Sequence, residues 1–468
     1  MRLFQLLETS KDILLVATLV ACLFLAGFFF LNKIFLKKSV GNRKIILLCL
    51  FLIYMFFMLT ATLGVDRGSS IGYLSMNLEL LSSYRSAWNT FSMIEWRNLA
   101  INIVMFIPFG ILLPSVFPVF QKWWRTYLSG FSISFLIECI QYISARGVVE
   151  ADDVLNNTLG TMIGFGLFMI GFYIYHHQLK EKNAYKKIIC AQIPLLFAIT
   201  AGISIIYIYE HQELGNLKIA YSSRQNVQDV YLRTELSSDE ISGHIYQTKI
   251  YSKEECQTIA NDLFERLNTS IDESRTDIYD EAIIFYSLDG RYSLWIYYMG
   301  GTMSFDDYSG EHGVSGLSFD DVKAALEYFG VYVPQDSTFE EINDENEVGS
   351  QYSIDVSKSH ENGNMYSGQL MCRIGKNGSI IELYNHIMTY EAYRDCLLMS
   401  EEDAYQKIVK GEFSNYYGVD LSSHIYVTYC SLNYELDSKG FYQPIYEFHI
   451  KNENNDFLGT IKIPAIQK

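Results

Sequence analysis

The sequence predicts an α-helical polytopic membrane domain of about six spans over residues 1–210, followed by an acidic extracytoplasmic α+β region over residues 211–468. Three observations carry that prediction. Six long apolar runs fall in the first 210 residues, and a spanning helix needs about 20 mostly apolar residues. Charge divides at the same place: residues 1–210 hold 17 Lys+Arg against 11 Asp+Glu, a net of +6, so the total of -17 leaves -23 for residues 211–468. From about residue 245 the pattern changes to capped helix starts alternating with strand pairs. Hydrophobic residues make up 49% of the 468 and charged ones 19%, in keeping with a membrane class. The acidic half lacks the basic patch that counterion release requires, so no nucleic-acid partner is expected.

The apolar runs lie at residues 13–31, 45–63, 99–117, 127–143, 154–175 and 188–208. The third holds Pro108, Gly110 and Pro114, and the fourth holds Glu138 and Gln141. Each reads either as a kinked span or as a re-entrant segment buried in protein. Lys and Arg near span ends set orientation. Lys33, Lys37, Lys38, Arg43 and Lys44 follow the first run, Lys122 and Arg125 the third, and Lys180, Lys182, Lys186 and Lys187 the fifth. Those loops are expected in the cytoplasm, which puts 64–98, 144–153 and everything after about Glu210 outside. Arg67, Arg85 and Arg97 in 64–98 pull the other way. Leu19-Val20-Ala21-Cys22 resembles a lipoprotein cleavage box, but the chain stays apolar after Cys22, so a retained first span is expected.

In the second half, Ser252-Lys253-Glu254-Glu255, Ser318-Phe319-Asp320-Asp321 and Ser400-Glu401-Glu402-Asp403 each open an apolar-periodic run, to Leu267, Phe329 and about Lys410. A serine before acidic first-turn residues marks a capped helix start. Strand pairs are expected at 282–286 with 292–298 around Asp289-Gly290, at 368–374 with 379–384 around Lys376-Asn377-Gly378, and at 424–434 with 442–450 around Ser438-Lys439-Gly440. The region reads as two or more modules, each a helix with a small antiparallel sheet. Cys256, Cys372, Cys396 and Cys430 are spaced too widely for a disulfide framework or zinc site, leaving free thiols and a single bridge both open. With Gly378 in a turn, the 400–410 helix and the late strand Gln443-Pro444-Ile445-Tyr446-Glu447-Phe448, residues from Tyr366 to about Ala465 resemble extracytoplasmic modules of the PepSY and YycI type. That resemblance implies an interaction or regulatory module and brings no catalytic residues.

The candidate site is a set of polar residues that spans normally exclude: Asn102, Glu138, Gln141, Arg146, Asp152, Asp153 and Asn157. Glu138 and Gln141 are three apart on a helix and Asp153 and Asn157 four apart, so each pair is expected to share a face. Arg146, in the short outer connection, is placed to reach a carboxylate from either side. One reading is an outward-opening pocket for a polar headgroup. A second is a structural network of ion pairs and interhelical hydrogen bonds. Acid–base chemistry at Glu138 or Asp153 is the third. Gly160 and Gly164 have the small-xxx-small spacing of close helix packing.

Taken in order, Asn102-Ile103-Val104-Met105-Phe106-Ile107-Pro108-Phe109-Gly110, Glu138-x-x-Gln141, Arg146 and Asp152-Asp153-Val154-x-x-Asn157-Thr158-x-Gly160-x-x-x-Gly164 resemble the VanZ-like family over about residues 63–175. The resemblance implies a small polytopic membrane protein linked, through the family's namesake, to low-level resistance to teicoplanin, a lipid-bearing glycopeptide. It supplies a phenotype and no reaction, and the long outer region departs from the compact members.

The expected partners are a membrane lipid or lipid-linked ligand and an envelope protein. No cofactor or metal is expected, since the chain shows no phosphate loop, dinucleotide fingerprint, paired metal histidines or nucleophile elbow. His176-His177 reads as interfacial placement. Three functions stay open: an envelope protein that binds a lipid-linked ligand and lowers access of a lipoglycopeptide, a membrane-anchored signalling or scaffolding protein acting through its outer region, and an intramembrane enzyme on a lipid-linked substrate.

Overall fold

The computed structural model describes residues 42–63, 76–144, 149–176, 183–343, 349–361, 363–422 and 424–467. The first apolar run, the Cys22 box, Lys33, Lys37, Lys38, Arg67, Arg146, His177, Lys180 and Lys182 lie outside the described residues. The chain divides into two compact units. One runs to Glu213 and adds Tyr221–Gln225 and Glu412–Ser414; the other holds Leu214–Ala220, Asn226–Gly411 and Asn415–Lys468.

The first unit is helical: α1 (Asn42–Leu63), α2 (Ser82–Thr90), α3 (Met93–Val116), α4 (Trp123–Ile143), α5 (Ala151–Tyr175), α6 (Ala184–Ala191) and α7 (Ile193–His211). Strand β1 (Met76–Asn77) pairs in parallel with β2 (Val149–Glu150). Among the described residues four helices are long and apolar enough to cross a membrane: Arg43–Thr62, Met93–Val116, Ala151–Tyr175 and Ile193–His211. The expected fourth run is a helix of 21 residues, but Arg125, three serines, Glu138 and Gln141 dilute its apolar character and it is not one of the four.

Pro108 and Pro114 sit inside α3, which nevertheless continues as one helix of 24 residues. Of the two readings of this run, the continuous helix fits a span, and α3 lies against α5 in close backbone contact. A Cβ on Gly160 would lie 2.0 Å from the Ile103 carbonyl oxygen, one on Gly164 2.1 Å from that of Ile107, and one on Gly110 2.1 Å from that of Thr161. Lipid tails are as apolar as leucine, so helices in a bilayer gain by close approach through small residues rather than by burying large ones. The α4 helix joins the same centre, where Gly130 faces Thr161. Met58, Phe106, Phe109, Leu113 and Ile137 fill the space between α1, α3 and α4.

The second unit is a mixed α/β domain with a large sheet. Its strands are β3 (Val230–Leu232), β4 (Ile241–Thr248), β5 (Ile271–Ile278), β6 (Ala282–Ser287), β7 (Tyr292–Tyr297), β8 (Met303–Asp307), β9 (Thr338–Ile342), β10 (Gln351–Glu361), β11 (Asn364–Ile374), β12 (Ile380–Asn385), β13 (Met388–Leu398), β14 (Ile425–Leu436), β15 (Phe441–Lys451) and β16 (Phe457–Pro464). Among the described residues they form one 14-stranded sheet in the order β3-β14-β15-β4-β13-β11-β12-β8-β7-β6-β5, with β10 on β11, β9 on β10 and β16 on β15. Within this sheet, among the described residues, only the β3–β14 pair is parallel. The separate small sheets expected from the turns are therefore joined. Pairings between strands distant in sequence, such as Met303↔Asn385 between β8 and β12, do the joining, and local turn signals carry no information about them.

The three expected helices are present as α8 (Lys253–Arg266), α9 (Phe319–Phe329) and α10 (Glu401–Val409). Ser252 with Glu255 and Ser318 with Asp321 form reciprocal capping boxes, and Ser400 accepts the Asp403 amide. Cys256, Ala260, Leu263 and Phe264 of α8 and Val322, Leu326 and Phe329 of α9 share one core with Phe285, Phe305, Tyr352, Leu370 and Leu383 of the sheet. The seven described cysteines are free thiols, which settles the open question for Cys256, Cys372, Cys396 and Cys430.

Candidate functional site

The polar residues of the first unit gather at the N-terminal end of α5, which carries Asp152 and Asp153 in its first turn. Carboxylates there are favoured by the helix dipole, yet each serves a different neighbour. Asp152, 1% exposed, accepts the backbone N–H of Leu81 at 2.6 Å and of Ser83 at 2.8 Å. Leu81 precedes α2 with a φ of 66° and supplies no side-chain cap of its own. Asp152 is thus a cap brought in from another helix, filling orphan N–H groups that every helix start leaves. Beside it, Glu150 accepts the Ser83 hydroxyl at 3.0 Å.

Asp153 accepts from Asn102 Nδ2, which ties α3 to α5. Asn157 Nδ2 donates to Ser134 Oγ at 2.9 Å, which ties α5 to α4. Glu138, 3% exposed, accepts the Glu150 amide at 3.2 Å and so faces the start of α5. Gln141 Nε2 donates to the Thr62 carbonyl at 3.0 Å, toward α1. Glu138 and Gln141 therefore turn to different helices, because three residues along a helix rotate about 60° short of a full turn and two neighbours pack on that flank. Arg146 lies outside the described residues.

Sequence reasoning passed over three members of this site. Asn156, fully buried, takes the Tyr84 hydroxyl on Oδ1 but leaves Nδ2 without a hydrogen-bond partner among the described residues. Asn157 Oδ1 and the Trp96 indole Nε1 are likewise buried and unpaired. Tyr84 and Trp96 meet edge to face with ring centres 6.5 Å apart. Burial raises the Tyr84 phenol above its ordinary range, and the Asp152 charge adds to the rise. Asn156 was legible as a second amide next to Asn157; an indole on an apolar helix gives no such signal.

A second polar knot holds the loop before α2. Glu79 accepts from Arg85 Nη2, the Tyr221 hydroxyl and the Arg224 amide, each at 2.7 Å. The Arg224 amide is the main reason its carboxyl sits below the usual carboxylate range.

A family model described as VanZ/LLP1 matches residues 44–173, from the first turn of α1 to near the end of α5, and includes the polar residues gathered at the start of α5 but not Tyr221 or Arg224. Residues 44–173 are a VanZ/LLP1 domain. The VanZ/LLP1 domain thus holds Asn102, Glu138, Gln141, Arg146, Asp152, Asp153 and Asn157, and the second unit is an addition to it. No curated protein matches the chain. Among solved structures, an uncharacterized protein from Eubacterium rectale shares 12% identity with a TM-score of 0.27, covering 48% of this chain and 82% of its own. The Bacillus megaterium YpeB C-terminal domain also shares 12% identity, with a TM-score of 0.18, covering 47% of this chain and 100% of its own. The C-terminal region resembles both, and likeness at that level says nothing of what it does.

Proposed function

We propose that the chain is a six-span envelope protein whose VanZ/LLP1 domain holds the polar head of a lipid or lipid-linked molecule at the N-terminal end of α5. On this reading residues 211–468 lie on the extracytoplasmic side, and occupation of the ligand lowers the access of teicoplanin to its target. The observation that supports it is the trio of buried, unpaired polar atoms: two donors, Trp96 Nε1 and Asn156 Nδ2, and one acceptor, Asn157 Oδ1. Leaving a buried polar group unsatisfied costs about 1–3 kcal/mol, and a headgroup offering a phosphate, hydroxyl or amide would remove that cost. Asp152, Asp153 and Glu138 then hold the surrounding helices in place through the contacts they already make.

Teicoplanin and vancomycin susceptibility, measured in cells carrying wild type, Trp96→Phe or Asn156→Leu at matched membrane abundance, tests this reading. Protection against teicoplanin is expected in wild type and is expected to drop in both variants, with vancomycin, which lacks the acyl chain, little changed. A wild type without protection would remove the resistance role; variants that protect fully would remove the site. The cleft around Lys358 in the second unit favours a second reading, a membrane-anchored signalling or scaffolding protein that responds to a ligand there.

A further inference from the structure

The second unit contains a polar cleft of about 500 Å³ bordered by β10, β11, β13, β14, β15 and β16. Its shape begins with a register fault. β10 and β11 pair residue for residue from Tyr352↔Cys372 to Val356↔Gly368, and then resume at Ser359↔Tyr366, so β10 carries one extra residue. Lys358 lies in that bulge with a φ of 56°, a left-handed conformation that lysine rarely adopts. Next to the bulge, Gly368, the partner of Val356, has a φ of 137°, and a Cβ there would lie 2.1 Å from the His386 carbonyl oxygen. Bulges recur where a side chain must be re-aimed, and an observed strained residue is a pointer to function.

The bulge sends Lys358 over the cleft. Its ammonium donates to the Leu432 carbonyl of β14 at 3.2 Å and stands 5.4 Å from the centre of the Tyr434 ring. The side chain is half-buried, and burial pulls its pKa below the usual lysine range, with the Glu447 charge opposing. Among the described residues Lys358 has no ion-pair partner. Glu435, which also lines the cleft, is already engaged: it pairs with Lys462 at 2.9 Å and Lys218 at 3.3 Å and accepts the Tyr417 hydroxyl at 2.8 Å. Glu447 is engaged by Asn433 Nδ2 at 2.6 Å. A rigid aromatic floor lies beneath, where Tyr390 and Tyr442 stack at 4.4 Å and Tyr442 and Tyr434 at 5.2 Å.

A partly buried cation is costly unless paired, and an anion that accepts a charge-assisted hydrogen bond from it offsets that cost. Glu435 and Asp355 line the same cleft and would repel a doubly charged phosphate more than a monoanion. We propose that this cleft binds a small carboxylate-bearing polar molecule whose carboxylate is received by Lys358 between β10 and β14. The volume is within the range of small-molecule sites. A sugar acid and the C-terminus of a short peptide share this chemistry. The inference does not depend on the reading of the membrane unit.

Full-length protein in detergent, titrated calorimetrically with trialanine, trialanine amide, a glucuronate-containing disaccharide and inorganic phosphate, tests it. At least one of the two carboxylates is expected to bind, and which one does identifies the source. The amide, whose C-terminus carries no charge, and phosphate are expected to bind about 10-fold more weakly or worse, as is the binding carboxylate to Lys358→Gln, while Lys358→Arg keeps affinity within about 3-fold. Failure of both carboxylates to bind below about 10 mM, an amide as good as its acid, or undiminished binding to Lys358→Gln would each overturn the proposal. The acid-against-amide comparison uses wild type alone and holds even where a variant does not fold.

Discussion

In the membrane unit α3 and α5 meet backbone to backbone at Gly110, Gly160 and Gly164, whereas in the second unit α8 and α9 lay Phe264, Leu326 and Phe329 over Phe285, Phe305 and Tyr352. The difference follows from the solvent on the far side of each helix. Water rewards burial of every large apolar group by about 25 cal/mol per Å², so the second unit invests in volume. Hydrocarbon gives no such reward, and shape and polar contacts decide instead.

Substitutions that reverse the two strategies test the contrast most severely. Gly164→Val places a side chain 2.1 Å from the Ile107 oxygen and is expected to abolish recovery of folded full-length protein, read as loss of the monodisperse peak in detergent chromatography. Phe305→Ala removes a fully buried ring and is expected to cost the second unit about 3–5 kcal/mol by thermal or denaturant unfolding, with the membrane unit still recovered. A Gly164→Val protein that folds normally would show that α3 and α5 do not depend on close approach.

Both units also bury a carboxylate against backbone N–H groups instead of a cation. Asp152 receives Leu81 and Ser83, and Asp437 receives Lys439 and Phe441 together with Gln443 Nε2. Asp152→Ala and Asp437→Ala are each expected to cost about 1–3 kcal/mol, seen as faster amide exchange at 81–83 in one case and at 439–441 in the other. The local cap Ser252→Ala should cost less, about 1 kcal/mol. Equal effects of all three would mean that a cap delivered from a distant element is worth no more than one supplied in sequence.

The smallest effect is in pH dependence, where two carboxylates have opposite signs. Glu79 is held low, so its contribution is complete above the ordinary Glu value of about 4.3 and is lost as pH falls through its lower folded value. Burial holds Asp437 high, so its contribution is complete below the ordinary Asp value of about 3.9 and is lost as pH rises through its raised folded value. The stability difference between wild type and Glu79→Gln should shrink in acid, and protection of the Arg224 amide from exchange, relative to its intrinsic rate at each pH, should fall with it. The penalty for ionising Asp437 should make the 437–441 turn firmer at pH 4 than at pH 7.

Much of this molecule was written locally. The serines at 252, 318 and 400 open helices because a hydroxyl and a following amide are neighbours in sequence, and the turn at Asp289-Gly290 joins β6 to β7 for the same reason. The spacing of Gly160 and Gly164 announced close packing, though not that α3 would be the partner. Asp152 was visible as a misplaced charge, but its work as the cap of α2 depends on Leu81 and Ser83, some seventy positions away.

The sequence by itself determined where apolar length, helix starts, tight turns and rare polar groups fall, since each depends on residues within a turn or two of one another. Only the tertiary structure decided that the strands close into one sheet, that Glu138 and Gln141 face different helices, that Asn156 and Trp96 keep unpaired atoms, and that a bulge turns Lys358 over a cleft. Those outcomes depend on which distant backbone groups meet, and hydrogen bonds between distant segments leave no period in the chain.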